Sequence, residues 1–326
     1  MLADKKVLLI VPKYFGYEKV IKDQIEKMGA TVFVIFENLD NFSYKYRFIK
    51  NYIPFVFKKS VHNYFIRELD TFPSDIDHVL VIRGEFIDGN ILSYMKSKFG
   101  SNCKFSMYQW DSVNNNANAI EIARYFGKIS TFDKEDAIKY RWNYRPLFYI
   151  NEFIKGEKIC KNDILFIGSL HSNRIEILNF LQKYCEVKSY KFESHIYTKR
   201  LVYLKRKYLN RRPGYISAKD TDVSFNSLSL QECYDKYNNS KVVVDYTHPG
   251  QSGYTMRTIE CLGSECKLIT NNKQVLDADF FDSNNIFVYD GTSFEIDDNF
   301  FVTDYKKNSD EVKNKYSLES WLFDIL

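Results

Sequence analysis

No stretch of this 326-residue chain approaches the ~18 consecutive apolar residues of a membrane-spanning helix. The apolar run nearest the amino end, Val7 to Val11, has five residues and is too short for a signal-peptide core. The expectation is a soluble, cytoplasmic protein whose only membrane contact is peripheral. Cys-x-x-Cys pairs are also missing. The six cysteines stand at 103, 160, 185, 233, 261 and 266, and the closest two, Cys261 and Cys266, are five apart. Zinc-ribbon, redox-motif and disulfide-scaffold readings are therefore poor, and reduced core thiols are expected. Neither G-x-x-x-x-G-K-[ST] nor G-x-G-x-x-G occurs, which argues against a P-loop. One-signed charge is lacking too. Lys and Arg total 46 against 42 Asp and Glu, and the +4 excess falls short of the strongly basic domain of a nucleic-acid binder.

What is present is an ordinary globular composition, 45% hydrophobic and 27% charged, with an unusual 17% of aromatic residues. At roughly 150 residues per domain the length suggests two domains. Residues 6–37 read as strand, loop with Gly16, helix with Val20, Ile21, Ile25 and Met28 at helical spacing, then a second strand. The same grammar returns at Asp163, where DILFI meets the turn Gly168-Ser169 and a helix carrying Ile177, Leu178 and Leu181. Further strands fit His78 to Arg83, Lys104 to Gln109, Lys128 to Phe132, Lys241 to Tyr246, Lys267 to Thr270 and Asn285 to Tyr289. The fold class expected is α/β. Two units or one large sheet would both satisfy this pattern. A join at residues 145–157 gives domains 1–150 and 151–310, with 311–326 ending in an amphipathic helix that packs back on the first domain.

Ligands of open α/β sheets bind beyond the carboxyl ends of strands. Those positions hold Tyr14, Gly16, Glu85, Trp110 and Asp111 in the first half, and Gly168, Ser169, His171, His248, Gly250, Gln251 and Gly253 in the second. The richest segment is HPGQSGYTMRTIECLG, residues 248–263. Its glycines allow close backbone approach, and a helix starting near Tyr254 offers an anion site at its amino end. Arg257 and Glu260 share one face of that helix, where a cation suits a diphosphate and a carboxylate suits ribose hydroxyls. A Gly-rich turn before a surface helix with an Arg–Glu pair accounts for the same residues equally well.

The segment resembles the nucleotide-sugar site of GT-B glycosyltransferases, in particular the bacterial CgeB-like and O-antigen or capsule group. Those proteins show a pattern like hPGQ-x-G-x-TMRT-x-E-x-LG-x-x-KLIT-x-N, here His248 to Asn271. KVLLIVPKYFGYE at the start, YQWDS at 108–112 and FIGSLHSNR at 166–174 resemble the same group. The resemblance implies two Rossmann-like domains facing a cleft, with the acceptor on the first and a nucleotide sugar on the second. It implies donor contacts from Gly168, Ser169, Arg174, Gly250, Gln251, Gly253, Tyr254, Thr255, Arg257 and Glu260, with Glu260 at the ribose and Arg257 at the phosphates. The sequence departs from the E-x7-E pair of many retaining members, since Ser252 stands eight residues before Glu260. The stereochemical outcome is therefore not carried over.

An inverting transfer needs a base for the acceptor hydroxyl. Asp111 is the first candidate, with Trp110 beside it to stack on a sugar and Ser112 to orient it, and Glu85 is the second. Capping of a following helix is the plainer role for Asp111. Tyr14, Gly16 and Trp110 form the expected acceptor edge. Neither His171 nor His248 has a ligand partner at i+4, and a D-x-D run of the kind metal-dependent GT-A transferases use is not expected, so no metal is implied, and no cofactor beyond the donor. Two basic-aromatic stretches, residues 44–59 and 198–215, read as docking on the anionic inner leaflet, as amphipathic helices with a solvated basic face or, less well given the near-balanced charge, as a nucleic-acid surface. The function expected is transfer of a sugar to a hydroxyl of a lipid-linked surface glycan. A nucleotide-sugar epimerase or hydrolase and a two-domain small-ligand binder are the alternatives.

Overall fold

The computed structural model describes residues 2–37, 54–154, 160–170, 174–219, 222–247, 252–289 and 296–326. The chain divides into two units, Met1–Pro146 with Leu318–Leu326, and Leu147–Ser317.

The first unit is built on β1 (Lys6–Val11), β2 (Thr31–Phe36), β3 (His78–Ile82), β4 (Lys104–Gln109), β5 (Lys128–Thr131) and β6 (Asn143–Tyr144), ordered β2-β1-β3-β4-β5-β6. All neighbours are parallel. Parallel strands covered by helices on both faces read as continuous apolar runs. Accordingly Val7 to Val11 and all of β3 are buried. The helix Tyr17–Lys27 turns Tyr17, Ile21 and Ile25 inward. Gly89–Phe99, capped by Asp88, buries Ile91, Leu92, Met95 and Phe99. The final helix, Leu318–Ile325, belongs to this unit. Its Trp321 is fully buried edge-on to Tyr108 at 4.6 Å, and Asp324 pairs with Arg145 at 2.8 Å.

The second unit carries β7 (Asn162–Ser169), β8 (Phe192–Tyr197), β9 (Ser240–Asp245), β10 (Lys267–Thr270) and β11 (Ile286–Val288), ordered β11-β10-β9-β7-β8 and again parallel. The helix Arg174–Lys188 packs Ile175, Leu178, Leu181 and Cys185 into its core. The helix Met256–Ser264 is buried from Thr258 onward, and is not the surface helix that a simple Arg–Glu pair implies. Its Gly263 is dictated by packing. A Cβ there would meet the Tyr149 ring at 2.5 Å. None of the six cysteines is in a disulfide, and burial pushes Cys185 and Cys233 up to about 12.

Numbered within its own unit, each sheet runs 2-1-3-4-5, and the first adds a sixth strand. The βαβ openings at residues 6 and 163 thus start two separate doubly wound sheets. In such a sheet the strand order reverses beside the first strand, and ligands bind at the carboxyl end of that point. The reversals fall between β1 and β3 and between β7 and β9. Among the described residues no helix is long and apolar enough to cross a membrane.

Candidate functional site

The carboxyl edge of the first sheet gathers the residues that lie just beyond β1, β3 and β4. Arg83 stands at its centre. Its guanidinium pairs with Glu85 at 2.7 Å and with Asp111 at 2.9 Å, so one cation holds both candidate bases. Asp111 caps no helix. Burial raises its carboxyl pKa, Arg83 opposes that shift and Glu85 reinforces it. Beside Asp111, Trp110 lies 5.8 Å from the exposed ring of Tyr14, which meets Phe15 edge-on at 4.7 Å. The structure therefore brings Tyr14, Gly16, Glu85, Trp110 and Asp111 to one edge. Ser112, read as the residue that orients Asp111, is buried, and the ion partner of Asp111 is Arg83.

The backbone here is strained. Phe15 and Arg83 hold φ values of 53° and 77°, each followed by a left-handed glycine, Gly16 or Gly84. A non-glycine residue in this region costs of order 1–3 kcal/mol and persists only where its surroundings fix it. Around Arg83 they do. Its amide donates to the Tyr108 carbonyl at 2.9 Å, and its carbonyl accepts from Gln109 Nε2 at 2.6 Å and Asn116 Nδ2 at 2.7 Å. Glu37, at the end of β2, accepts from the amides of Gly84 (3.2 Å) and Phe86 (2.7 Å). Burial raises the Glu37 carboxyl from 4.5 to about 7.

On the second unit, Arg174 spans the reversal point. Its Nη1 donates to the Ser169 carbonyl at the end of β7 (3.0 Å), and Nη2 donates to the Tyr246 carbonyl after β9 (3.2 Å). Gly168 leaves room for it, since a Cβ there would sit 2.6 Å from Arg174 Nη1. Asp245, the last residue of β9, is 1% exposed. It accepts from Arg257 Nη1 at 2.7 Å and from the hydroxyls of Thr255 and Thr258. Thr255 is also the amino cap of Met256–Ser264, accepting from the Thr258 amide at 3.1 Å. Burial works against the Arg257 charge, but Asp245 and the neighbouring Tyr237 and Glu260 outweigh it, so its pKa is raised. Glu260 is buried and accepts from the Tyr237 hydroxyl at 2.8 Å. The net result is a desolvated, preorganised Asp245–Arg257 pair at the start of a helix, with the Tyr237-bonded carboxyl of Glu260 one turn further on.

Other residues singled out from the sequence have structural duties or lie elsewhere. Tyr254 is buried against Phe280 at 5.4 Å, and the Gly253 carbonyl accepts from Asn272 Nδ2 at 3.0 Å. His171, His248, Gly250 and Gln251 lie outside the described residues, as does most of the stretch 44–59. Phe55 of that stretch is exposed. Asp-x-Asp triplets do occur in the chain. Asp75 and Asp77 pair with Lys6 and Lys5, and Asp279 pairs with Lys315. Among the described residues, no group of three His, Cys, Asp or Glu side chains is arranged to hold a metal. Sequence reading missed Arg83, Glu37 and Asp245. Each is a charged residue that closes an apolar strand run, in HVLVIR, TVFVIFE and KVVVD.

No protein-family model matches this sequence, and no curated protein matches it. Solved structures do. The chain is similar to Anabaena HepE in complex with UDP and glucose, with 9% identity, 98% of each chain covered and a TM-score of 0.58. It is similar to the apo form of the lipopolysaccharide outer core galactosyltransferase WaaB, with 15% identity, 98% of each chain and a TM-score of 0.51. It is also similar to the catalytic domain of Starch Synthase IV from Arabidopsis thaliana bound to ADP and acarbose, with 8% identity, 98% of this chain, 95% of that one and a TM-score of 0.50. At these identities the likeness carries the fold, which is the GT-B fold of two Rossmann-like domains.

Proposed function

We propose that this chain is a glycosyltransferase that moves a sugar from a nucleotide-sugar donor to a hydroxyl of a lipid-linked surface glycan. The observation that carries this reading is the edge of the first sheet. There a carboxylate with a raised pKa, Asp111, is aimed by Arg83, and the neighbouring residue Trp110 lies against the ring of Tyr14. An acceptor sugar stacks on the rings and presents its hydroxyl to Asp111. A base with a raised pKa accepts that proton more readily. Arg83 keeps the carboxylate oriented, and Glu85 shares its guanidinium.

The donor belongs to the second unit. Glu260 takes hydrogen bonds from ribose hydroxyls with the carboxylate that Tyr237 already orients. The diphosphate lies toward the start of Met256–Ser264, where the helix end and Arg257 stabilise the negative charge that develops as the nucleotide departs. Asp245 fixes Arg257 in that position beforehand. The strained, fully bonded backbone at Arg83 and the Thr255–Asp245–Arg257 array serve the same purpose, which is preorganisation of groups around charge that changes during the reaction.

The test is a thermal-shift screen against UDP, GDP, CMP and dTDP sugars. A ligand present at about a hundred times its dissociation constant stabilises by ~2.7 kcal/mol. Glu260→Ala should weaken the binding found by about 1–3 kcal/mol. Absence of any nucleotide shift overturns the reading. Conversion of the donor to a new sugar without acceptor would replace it with an epimerase.

A further inference from the structure

We infer that the segment after β8, residues 199–216, is a docking surface for an anionic lipid bilayer. Its side chains are arranged in reverse of the usual amphipathic helix. A helix packed on a core buries leucines and turns lysines and arginines to water. Here Tyr203 and Tyr215 are buried, with hydroxyls donating to the carbonyls of Ala218 and Leu170. Arg206 and Lys207 turn back onto those same rings, donating to Tyr215 Oη at 2.6 Å and Tyr203 Oη at 2.7 Å. Leucines, an isoleucine and a third tyrosine point outward instead. Leu201 is 65% exposed, Tyr208 62% and Leu209 77%, and Leu204 and Ile216 are exposed too.

Two turns bring these residues together. Arg200–Leu204 is α-helical and Lys205–Leu209 continues as a wider π-helical turn. Leu201, Leu204, Lys205, Tyr208 and Leu209 are exposed along these turns, while Tyr203 between them is buried. Lys199, Arg200, Lys205, Arg211 and Arg212 are exposed around it. No Asp or Glu occurs from Ser194 to Lys219, a span that contains eight Lys and Arg residues.

Charge complementarity therefore commits the partner to an anionic surface, and the leucines distinguish which one. A phosphate backbone has no use for several exposed aliphatic side chains. A bilayer takes them into its headgroup and acyl boundary while the cations meet anionic headgroups. The surface is also close to one of the candidate sites. The segment leaves the carboxyl end of β8, and the Tyr215 hydroxyl donates to the carbonyl of Leu170, the residue directly after β7, beside the Ser169 carbonyl that Arg174 holds. Docking brings that edge of the second sheet to the membrane surface.

The experiment is co-sedimentation of the full chain with vesicles of phosphatidylcholine alone and of phosphatidylcholine with about a third phosphatidylglycerol. The wild type should sediment with anionic vesicles at low salt and poorly with neutral ones. Binding should fall as salt rises and leave a salt-resistant part. Each basic residue near an anionic surface is worth about a fivefold change in partition, so Arg211→Ala with Arg212→Ala should lower low-salt binding about 25-fold. Leu204→Ser with Leu209→Ser should remove the salt-resistant part. Because all four positions are exposed, both variants should unfold at the wild-type temperature. Failure of the wild type to sediment with anionic vesicles, or equal sedimentation of wild type and both variants, overturns the inference. Retention on a single-stranded RNA without vesicle binding overturns it as well. Vesicle binding requires no nucleotide, so this result and the nucleotide screen can fail separately.

Discussion

Glu37 makes the most exacting test of the first candidate edge, because its protonation is tied to both stability and the loop that carries Arg83 and Glu85. The side chain is 1% exposed and its carboxyl is raised from 4.5 to about 7 by burial, with the Phe86 amide and the Arg83 charge opposing the shift. The native state therefore holds a proton that the unfolded chain gives up near pH 4.5. Between these two values the folded form binds more protons, and the stability of the fold falls as pH rises. The contribution is fully present below pH 4.5 and is lost as pH passes through about 7. At ~1.4 kcal/mol per pH unit the loss amounts to ~3 kcal/mol. Glu37→Gln keeps the shape and removes the titration. Its carboxamide has one acceptor oxygen for the two amides of Gly84 and Phe86, which adds a cost that does not vary with pH. The wild type minus variant difference in unfolding free energy should thus shrink by ~3 kcal/mol between pH 4.5 and 8, whatever its starting value. Urea unfolding of both proteins at the two pH values measures this. In melting temperature it corresponds to roughly 6–12 °C of relative movement. A difference that stays constant across that range would refute the burial argument and leave Glu37 as an ordinary ionised hydrogen-bond acceptor.

Two more outcomes are expected at the same edges. Asp111→Asn should lower turnover by about 10² or more and leave nucleotide affinity intact, and retained turnover would pass the base role to Glu85. Asp245→Ala strands the largely buried Arg257 charge and should cost about 3–5 kcal/mol in denaturant unfolding, whereas the double variant with Arg257→Met should recover much of that loss. A double variant no more stable than the single one would mean that the two side chains are not energetically coupled.

The strands are legible because a parallel strand buried on both faces must be apolar throughout. Thr31–Phe36, Lys104–Gln109 and Lys267–Thr270 have the bounds that the sequence suggests, and most others differ by one or two residues at one end or both. However, β6 is not read at all, and β8 starts five residues beyond its expected start at Val187, which lies in the helix before it. The carboxyl-edge rule then points to Tyr14, Glu85, Trp110 and Asp111, and the helix after the 248–253 turn points to Arg257 and Glu260, without any contact being visible. The contacts themselves depend on Arg83, Glu37 and Asp245, which read as ends of strands. A strand that is apolar up to a final charged residue has placed that charge at the ligand edge, where desolvation forces it to find a partner. Arg83 finds Glu85 and Asp111, Glu37 finds two amides, and Asp245 finds Arg257 and two hydroxyls. The signal therefore lies in the sequence, at the boundary between each strand and its loop.

The segment 199–216 departs from the simple amphipathic pattern for a related reason. Hydrophobicity ranks leucine above tyrosine, so a mixture of Leu, Tyr, Lys and Arg suggests leucines inside. Burial of tyrosine is costly only while its hydroxyl lacks a partner. Here the two inward tyrosines have carbonyl acceptors, Tyr203 at Ala218 and Tyr215 at Leu170. They also accept from Arg206 and Lys207, which lowers the number of cations left on the outer face. Once the tyrosines fill the inner side, helical geometry sends Leu201, Leu204 and Leu209 outward. Nothing in local propensity decides between the two arrangements, because rotating the helix exchanges one apolar set for another. The carbonyls of Ala218 and Leu170 decide it, and they come from a later turn and from the end of a different strand. An apolar face turned to solvent by a specific set of buried hydrogen bonds is retained at a cost, which is the physical ground for assigning it a partner.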